Sequence, residues 1–222
     1  SLLASVFRTI STVLLLCLFC VSSYGADKKI GIIVFDGVLT SDITAPAEVF
    51  GIASKKSWFS SYEVILINVG SEDFISTEEG LGIKVDAYLS DFPKVDVLLI
   101  PSAYDMAPLL RNKKLLQYIT SVRDAGDWLA SNCSGAFVLA ESGVLNGKSA
   151  TTWYGGESGF QRAYPKVKVQ HNTNYVIDDK IISSNGSLVS YQAALILLEQ
   201  LAGPSKVQEV KDTLQLQRLL SI

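Results

Sequence analysis

Histidine and cysteine are scarce in this chain. Its 222 residues include one histidine, His171, and three cysteines, Cys17, Cys20 and Cys133. No Cys/His cluster has metal-ligating spacing, so a zinc-type centre has no support and neither metal nor cofactor is expected. No Walker-type loop and no Gly-x-Gly-x-x-Gly fingerprint is present, which removes the usual sequence signals for nucleotide binding. A strong imbalance of charge is lacking as well, with 19 basic and 22 acidic side chains. The formal net charge is −3, with no basic stripe and no helix-turn-helix segment, so nucleic acid is not an expected partner.

Only one long hydrophobic run stands out, Val13 to Val21. With Arg8 before it and the small residues Ser22, Ser23, Gly25 and Ala26 around a cleavage point, residues 1–25 read as a secretory signal. A membrane-spanning helix needs roughly 20 apolar residues, so the run is short for a permanent anchor. The expectation is export, to the periplasm or outside the cell, with no stable membrane association after cleavage. Residues 26–222 then form a single domain, and Cys133 is left without a disulfide partner.

Along that domain, continuous β-rich runs alternate with helical patterns. Lys29 to Phe35, Tyr62 to Val69 and Val95 to Ile100 read as buried strands. Asp42 to Ser54 reads as a helix in which Pro46 is tolerable only in the first turn. Leu81 to Val85 suggests a small added hairpin. One helix is expected from about Leu109 to Ala125, stopped by Gly126. Val167 to Gln170 is a further strand candidate, and Tyr175 to Ile177 with Ile181 to Ser183 flanks Asp178-Asp179 as a hairpin. Ser190 to Leu201 and Val207 to Leu220 close the chain as helices. The order implies an α/β fold: a doubly wound, mostly parallel sheet with helices on both faces, a flavodoxin-like three-layer sandwich that binds ligands beyond the carboxyl ends of its strands.

Cys133 falls at such an end, between the short apolar run Trp128-Leu129-Ala130 and the helix-patterned Ala136 to Glu141. Free cysteine is commonly a small buried hydrophobe. A corner between strand and helix instead pushes the side chain over the sheet edge as a nucleophile elbow, where first-turn N–H groups are expected to favour the thiolate. Gly135 lets the turn close tightly. The Ser134 N–H, with one from Ser102 or Ala103, forms a candidate oxyanion donor pair.

Several motifs in one order carry a family resemblance: Gly31-Ile32-Ile33-Val34-Phe35-Asp36-Gly37, Ser41 to Phe50, Asp96 to Pro101, Cys133-Ser134-Gly135-Ala136 and Leu139 to Thr152. From about Lys29 to Gly203 the chain resembles the ThiJ/PfpI family of the class I glutamine amidotransferase-like superfamily. Within it, the chain is most similar to the branch holding isonitrile hydratase and the ligand domains of AraC-type regulators. The resemblance implies Cys133 as nucleophile, Asp42 as proton shuttle and Ser134 as the hydroxyl beside the nucleophile. It also implies a homodimer acting on a small molecule.

Departures from the family pattern matter as well. Trp153 stands where relatives commonly carry a histidine, Ser102-Ala103 replaces a glycine pair, and Ala45 replaces a glycine beside Pro46. Trp153 and Tyr154 are candidates to line the pocket. His171 is read as a surface residue, so a Cys-His protease mechanism lacks its base. Two readings follow: a Cys-dependent hydratase or lyase resembling isonitrile hydratase, or a non-catalytic ligand-binding or redox-sensing domain that retains the elbow.

Overall fold

The computed structural model describes residues 27–58 and 61–220, so the expected signal at residues 1–25 lies outside the described residues. A seven-stranded sheet runs in the order β10-β11-β7-β6-β1-β2-β5. It comprises β1 (Lys28–Val34), β2 (Tyr62–Asn68), β5 (Ala87–Tyr88), β6 (Val97–Ile100), β7 (Trp128–Asn132), β10 (Tyr175–Asp178) and β11 (Ile181–Ser184). All neighbours pair in parallel except β10 with β11, which form the expected hairpin. Every residue of β6 and of β11 is buried, as a sheet covered on both faces requires.

Helix α1 (Thr40–Lys55) packs with α6 (Val189–Ala202) and α7 (Pro204–Thr213) as one layer. Helices α2 (Ala107–Leu110), α3 (Lys113–Asp124) and α4 (Gly135–Glu141) pack together as another. The remaining pieces are α5 (Glu157–Ala163), α8 (Leu216–Leu220), the antiparallel pair β3 (Phe74–Ser76) and β4 (Gly82–Lys84), and the parallel pair β8 (Ser149–Ala150) and β9 (Lys168–Val169). Among the described residues no helix is long and apolar enough to cross a membrane.

Three expectations need correction. The helix expected from Leu109 to Ala125 is two helices, because the Asn112 side chain accepts from Leu115 N at 3.1 Å and caps α3 afresh. The helix expected from Val207 to Leu220 likewise breaks at Gln215, whose φ of 56° is left-handed. Pro46 is not in a first turn but inside α1. A proline there leaves the carbonyl four residues earlier without its helical donor. That carbonyl belongs to Asp42, and the Asn132 side-chain amide reaches it at 3.4 Å. The break in the helical ladder thus links α1 to the end of β7.

Candidate active site

Cys133 is the first of the two residues between β7 and α4, at φ 52°. A non-glycine residue in this region stores roughly 1–3 kcal/mol and needs surrounding contacts to hold it. Its N–H donates to Ser184 O at 2.9 Å, and its carbonyl accepts from Thr152 Oγ1 at 2.8 Å. The left-handed residue at the elbow is therefore the cysteine, not the glycine. Gly135 serves a different need from the one expected of it: a Cβ there would stand 2.1 Å from Ile100 O, so only glycine lets α4 rest on the end of β6. It faces strand backbone and not the pocket.

Asp42, in the first turn of α1, is fully buried. Its Oδ2 accepts from Ser102 N at 3.0 Å and from the Ser102 hydroxyl. Its Oδ1 accepts from Ser187 N at 3.3 Å and Ser190 Oγ at 3.0 Å. Burial pushes its carboxyl above the usual carboxylate range, while the Ser102 and Ser190 hydroxyls and the two backbone N–H groups pull it back. Glycine at position 186, φ 79°, permits the convergence. A Cβ there would lie 2.7 Å from Cys133 Cβ and 3.3 Å from Asp42 Oδ1.

The thiol departs from the sequence expectation. Burial raises it above the ordinary thiol range and the Asp42 charge adds to that. The neighbouring polar groups of Ser102 and Ser134 oppose the shift without overcoming it. The expected oxyanion pair also changes. Ser102 N–H is committed to Asp42 at 3.0 Å and so is not free to serve as an oxyanion donor. The Ser134 hydroxyl reaches Ala103 O at 3.3 Å.

Above the sulfur lies a cavity of about 470 Å³ lined by Leu39, Ala103, Tyr104, Met106, Leu110, Cys133, Ser134, Phe137 and Trp153. No charged side chain contributes to it. Trp153 stacks on Phe137, ring centroids 5.3 Å apart, and Phe137 stacks on Phe160 at 4.8 Å. A Cβ on Gly156 would meet the indole at 2.2 Å, so that glycine lets the ring lie flat against the backbone. Tyr154 does not line the cavity, because its side chain turns outward and is 83 % exposed. His171 is exposed in the loop between β9 and β10 and is not a cavity residue.

Residues not singled out from sequence complete the site. Gly186 N donates to Ser184 Oγ at 3.1 Å, and Ser184 Oγ donates to Asn132 Oδ1 at 2.6 Å. With the Asn132 contact to Asp42 O, this ties the ends of β7 and β11 to α1. The loop after β6 is held by Leu39 N donating to Ser102 O at 2.9 Å and by the Val38–Ala103 bridge. The run Ser184-Asn185-Gly186-Ser187 after a buried strand was the available signal for Ser187 and Ser190.

The DJ-1/PfpI family model matches residues 28–200. The chain belongs to that family. It is 26% identical over 186 residues to an isonitrile hydratase from Pseudomonas putida, covering 82% of this chain and 76% of that one. It is 27% identical over 145 residues to a helix-turn-helix transcriptional regulator from Pseudomonas aeruginosa, covering 65% of this chain but only 43% of the regulator. The crystal structure of Drosophila melanogaster DJ-1beta superposes with a TM-score of 0.77 at 23% identity, covering 86% of this chain and 98% of the other.

Proposed function

We propose that this DJ-1/PfpI family protein is a Cys-dependent hydratase of the lyase class that adds water across a small isonitrile. The observation carrying this reading is the meeting of three things at one point: a strained Cys133, the buried Asp42 carboxyl and an uncharged cavity above the sulfur. The similarity to isonitrile hydratase supports it.

In the proposed reaction the Cys133 sulfur bonds to the terminal isonitrile carbon. The thiol proton, taken up on the Asp42 side, is delivered to that same carbon and gives a thioimidate. Water then adds across the C=N bond, with hydroxide to carbon and a proton to nitrogen. Breakage of the C–S bond and return of the hydroxyl proton to sulfur release an N-substituted formamide. Ser134 positions the adduct. A raised thiol suits this sequence, because the proton is wanted on carbon rather than lost to solvent.

The test is conversion of benzyl isocyanide to N-benzylformamide, followed by mass spectrometry. Wild type is expected to turn over, and Cys133→Ala to be inactive but folded, since alanine bears the same backbone strain. Binding without turnover would favour the rival reading, a ligand-binding or redox-sensing domain, which the similarity to the regulator supports. The raised thiol weighs against peroxide sensing, which proceeds through the thiolate.

An uncharged cavity with a stacked aromatic wall fits a neutral substrate with an apolar body. Trp153→Ala is expected to raise KM for benzyl isocyanide about tenfold, the equivalent of roughly 1.4 kcal/mol of lost stacking and burial. Methyl isocyanide, too small to reach the indole, is expected to change little, and equal effects on the two would remove Trp153 from the binding wall.

Export through residues 1–25 and assembly as a homodimer complete the proposal. Cell fractionation and light scattering test them. Full-length chain retained in the cytoplasm argues against export, and a monomer argues against the dimer.

A further inference from the structure

Cys133 has a left-handed backbone, φ 52°, which a residue with a side chain keeps only while its surroundings hold it there. Its two peptide groups are held unequally. The N–H donates to Ser184 O at 2.9 Å and only continues the parallel ladder that pairs β7 with β11. On the carbonyl, the Ala136 N–H of α4 approaches at 3.4 Å, a long bond, whereas the Thr152 hydroxyl donates at 2.8 Å. Thr152 is fully buried, two residues beyond β8, and is itself braced. Its carbonyl accepts from Asn185 Nδ2 at 2.7 Å, and Thr151 N donates to Ser183 Oγ at 2.9 Å. The Thr151-Thr152 pair is therefore fastened at two points, to β11 and to the loop after it. Thr152 does not line the cavity above the sulfur, so its reach to the chemistry runs through the Cys133 backbone.

We propose that Thr152, braced by Asn185, is the positioning residue that holds the Cys133 nucleophile in its strained conformation. Without the hydroxyl, the Cys133 carbonyl keeps only the long bond from Ala136. The peptide then turns out of the left-handed region, and the sulfur swings with it away from the cavity and from Asp42.

Glycine and alanine at position 133 report this backbone directly. Glycine takes a positive φ without steric cost and alanine does not, whereas in ordinary backbone alanine is the more stable of the two. In the full chain Cys133→Gly is expected to melt about 2–4 °C above Cys133→Ala. In a Thr152→Val background that difference is expected to vanish or reverse, and in an Asn185→Ala background to shrink. A hydroxyl that only adds to the stability of the fold lowers both melting points together and leaves their difference unchanged.

The second measurement rests on the hydratase reading, whereas the first does not. With benzyl isocyanide, Thr152→Val is expected to lower kcat about 10- to 100-fold, the loss that a displaced nucleophile brings. The aromatic wall stays packed on Phe137, so KM is expected to remain within about twofold. Thr152→Ser keeps the hydroxyl and is expected to regain at least about a third of wild-type kcat.

A glycine-over-alanine difference that persists unchanged in Thr152→Val overturns the proposal whether or not isonitriles are substrates. Should Thr152→Val not fold, the same difference unchanged in Asn185→Ala overturns it. Equal losses of kcat in Thr152→Ser and Thr152→Val overturn it too, because the hydroxyl is then not the group that matters. Absence of turnover in wild type, with the melting difference still governed by Thr152, defeats the hydratase reading and leaves the hold on the elbow standing.

Discussion

Gly135→Ala is expected to lose at least about 3 kcal/mol of stability, seen as a Tm lower by roughly 6–12 °C for a domain of this size. The added Cβ would stand 2.1 Å from Ile100 O and 3.0 Å from Pro101 O. Both are backbone atoms at the end of β6, so no rotamer change relieves the overlap. Either α4 lifts from the sheet or the Pro101-Ser102-Ala103 loop moves. Each displaces Ser102 from Asp42 and opens the elbow, so activity falls with stability. Gly51→Ala is the control: nothing lies within 4 Å of its Cβ position in α1, and alanine there is expected to stabilise by up to about 1 kcal/mol. Equal stability of Gly135→Ala and wild type, by thermal unfolding, would contradict the close packing.

Asp42→Asn is expected to lower kcat on an isonitrile by 10²-fold or more, on the order expected for removing a general acid–base group. It also costs stability at neutral pH. A carboxylate offers acceptors on both sides, and backbone N–H groups of Ser102 and Ser187 approach one oxygen each. An amide has one acceptor, so its NH₂ must face one of those donors, at a cost of roughly 1–3 kcal/mol. The pH dependence has a definite sign. Burial raises Asp42 in the folded state, so between the ordinary carboxylate range and its folded value the native protein binds more protons than the unfolded chain. This contribution is fully present at the acid end of that window and is lost as pH rises through the folded value. Denaturant titrations across mildly acidic pH should show wild type losing stability relative to Asp42→Asn as pH rises. The opposite slope would mean that the hydrogen bonds, not burial, dominate.

Much of the frame was readable because it depends on local patterns. Runs such as Val97 to Ile100 are apolar along their length, as strands buried on both faces must be, and Asp178-Asp179 marks a hairpin by turn chemistry alone. Cys133 and Asp42 were legible as candidates through motif order. Their partners were less so. Ser187 and Ser190 meet Asp42 across more than 140 residues of chain, and only the topology that places the ends of β6, β7 and β11 beside α1 brings them together. Pro46 looked like a first-turn residue because its interior role depends on a tertiary substitute, the Asn132 amide, for the missing helical hydrogen bond. The direction of the thiol shift was misread for a related reason. Sequence shows the helix that follows Cys133 but not the burial and the nearby carboxyl that oppose it. Tyr154 and Trp153 are neighbours of the same aromatic character, and only packing on Phe137 and Gly156 separates the wall residue from the exposed one.

The coupling of Cys133 to Asp42 is tested most directly by the pH profile of Cys133 alkylation in wild type and Asp42→Asn. The account requires a wild-type midpoint above the roughly 8.5 of a free thiol, moved down when the Asp42 charge is removed. A midpoint at or below that value, and indifferent to Asp42→Asn, would show that the two groups do not form one site.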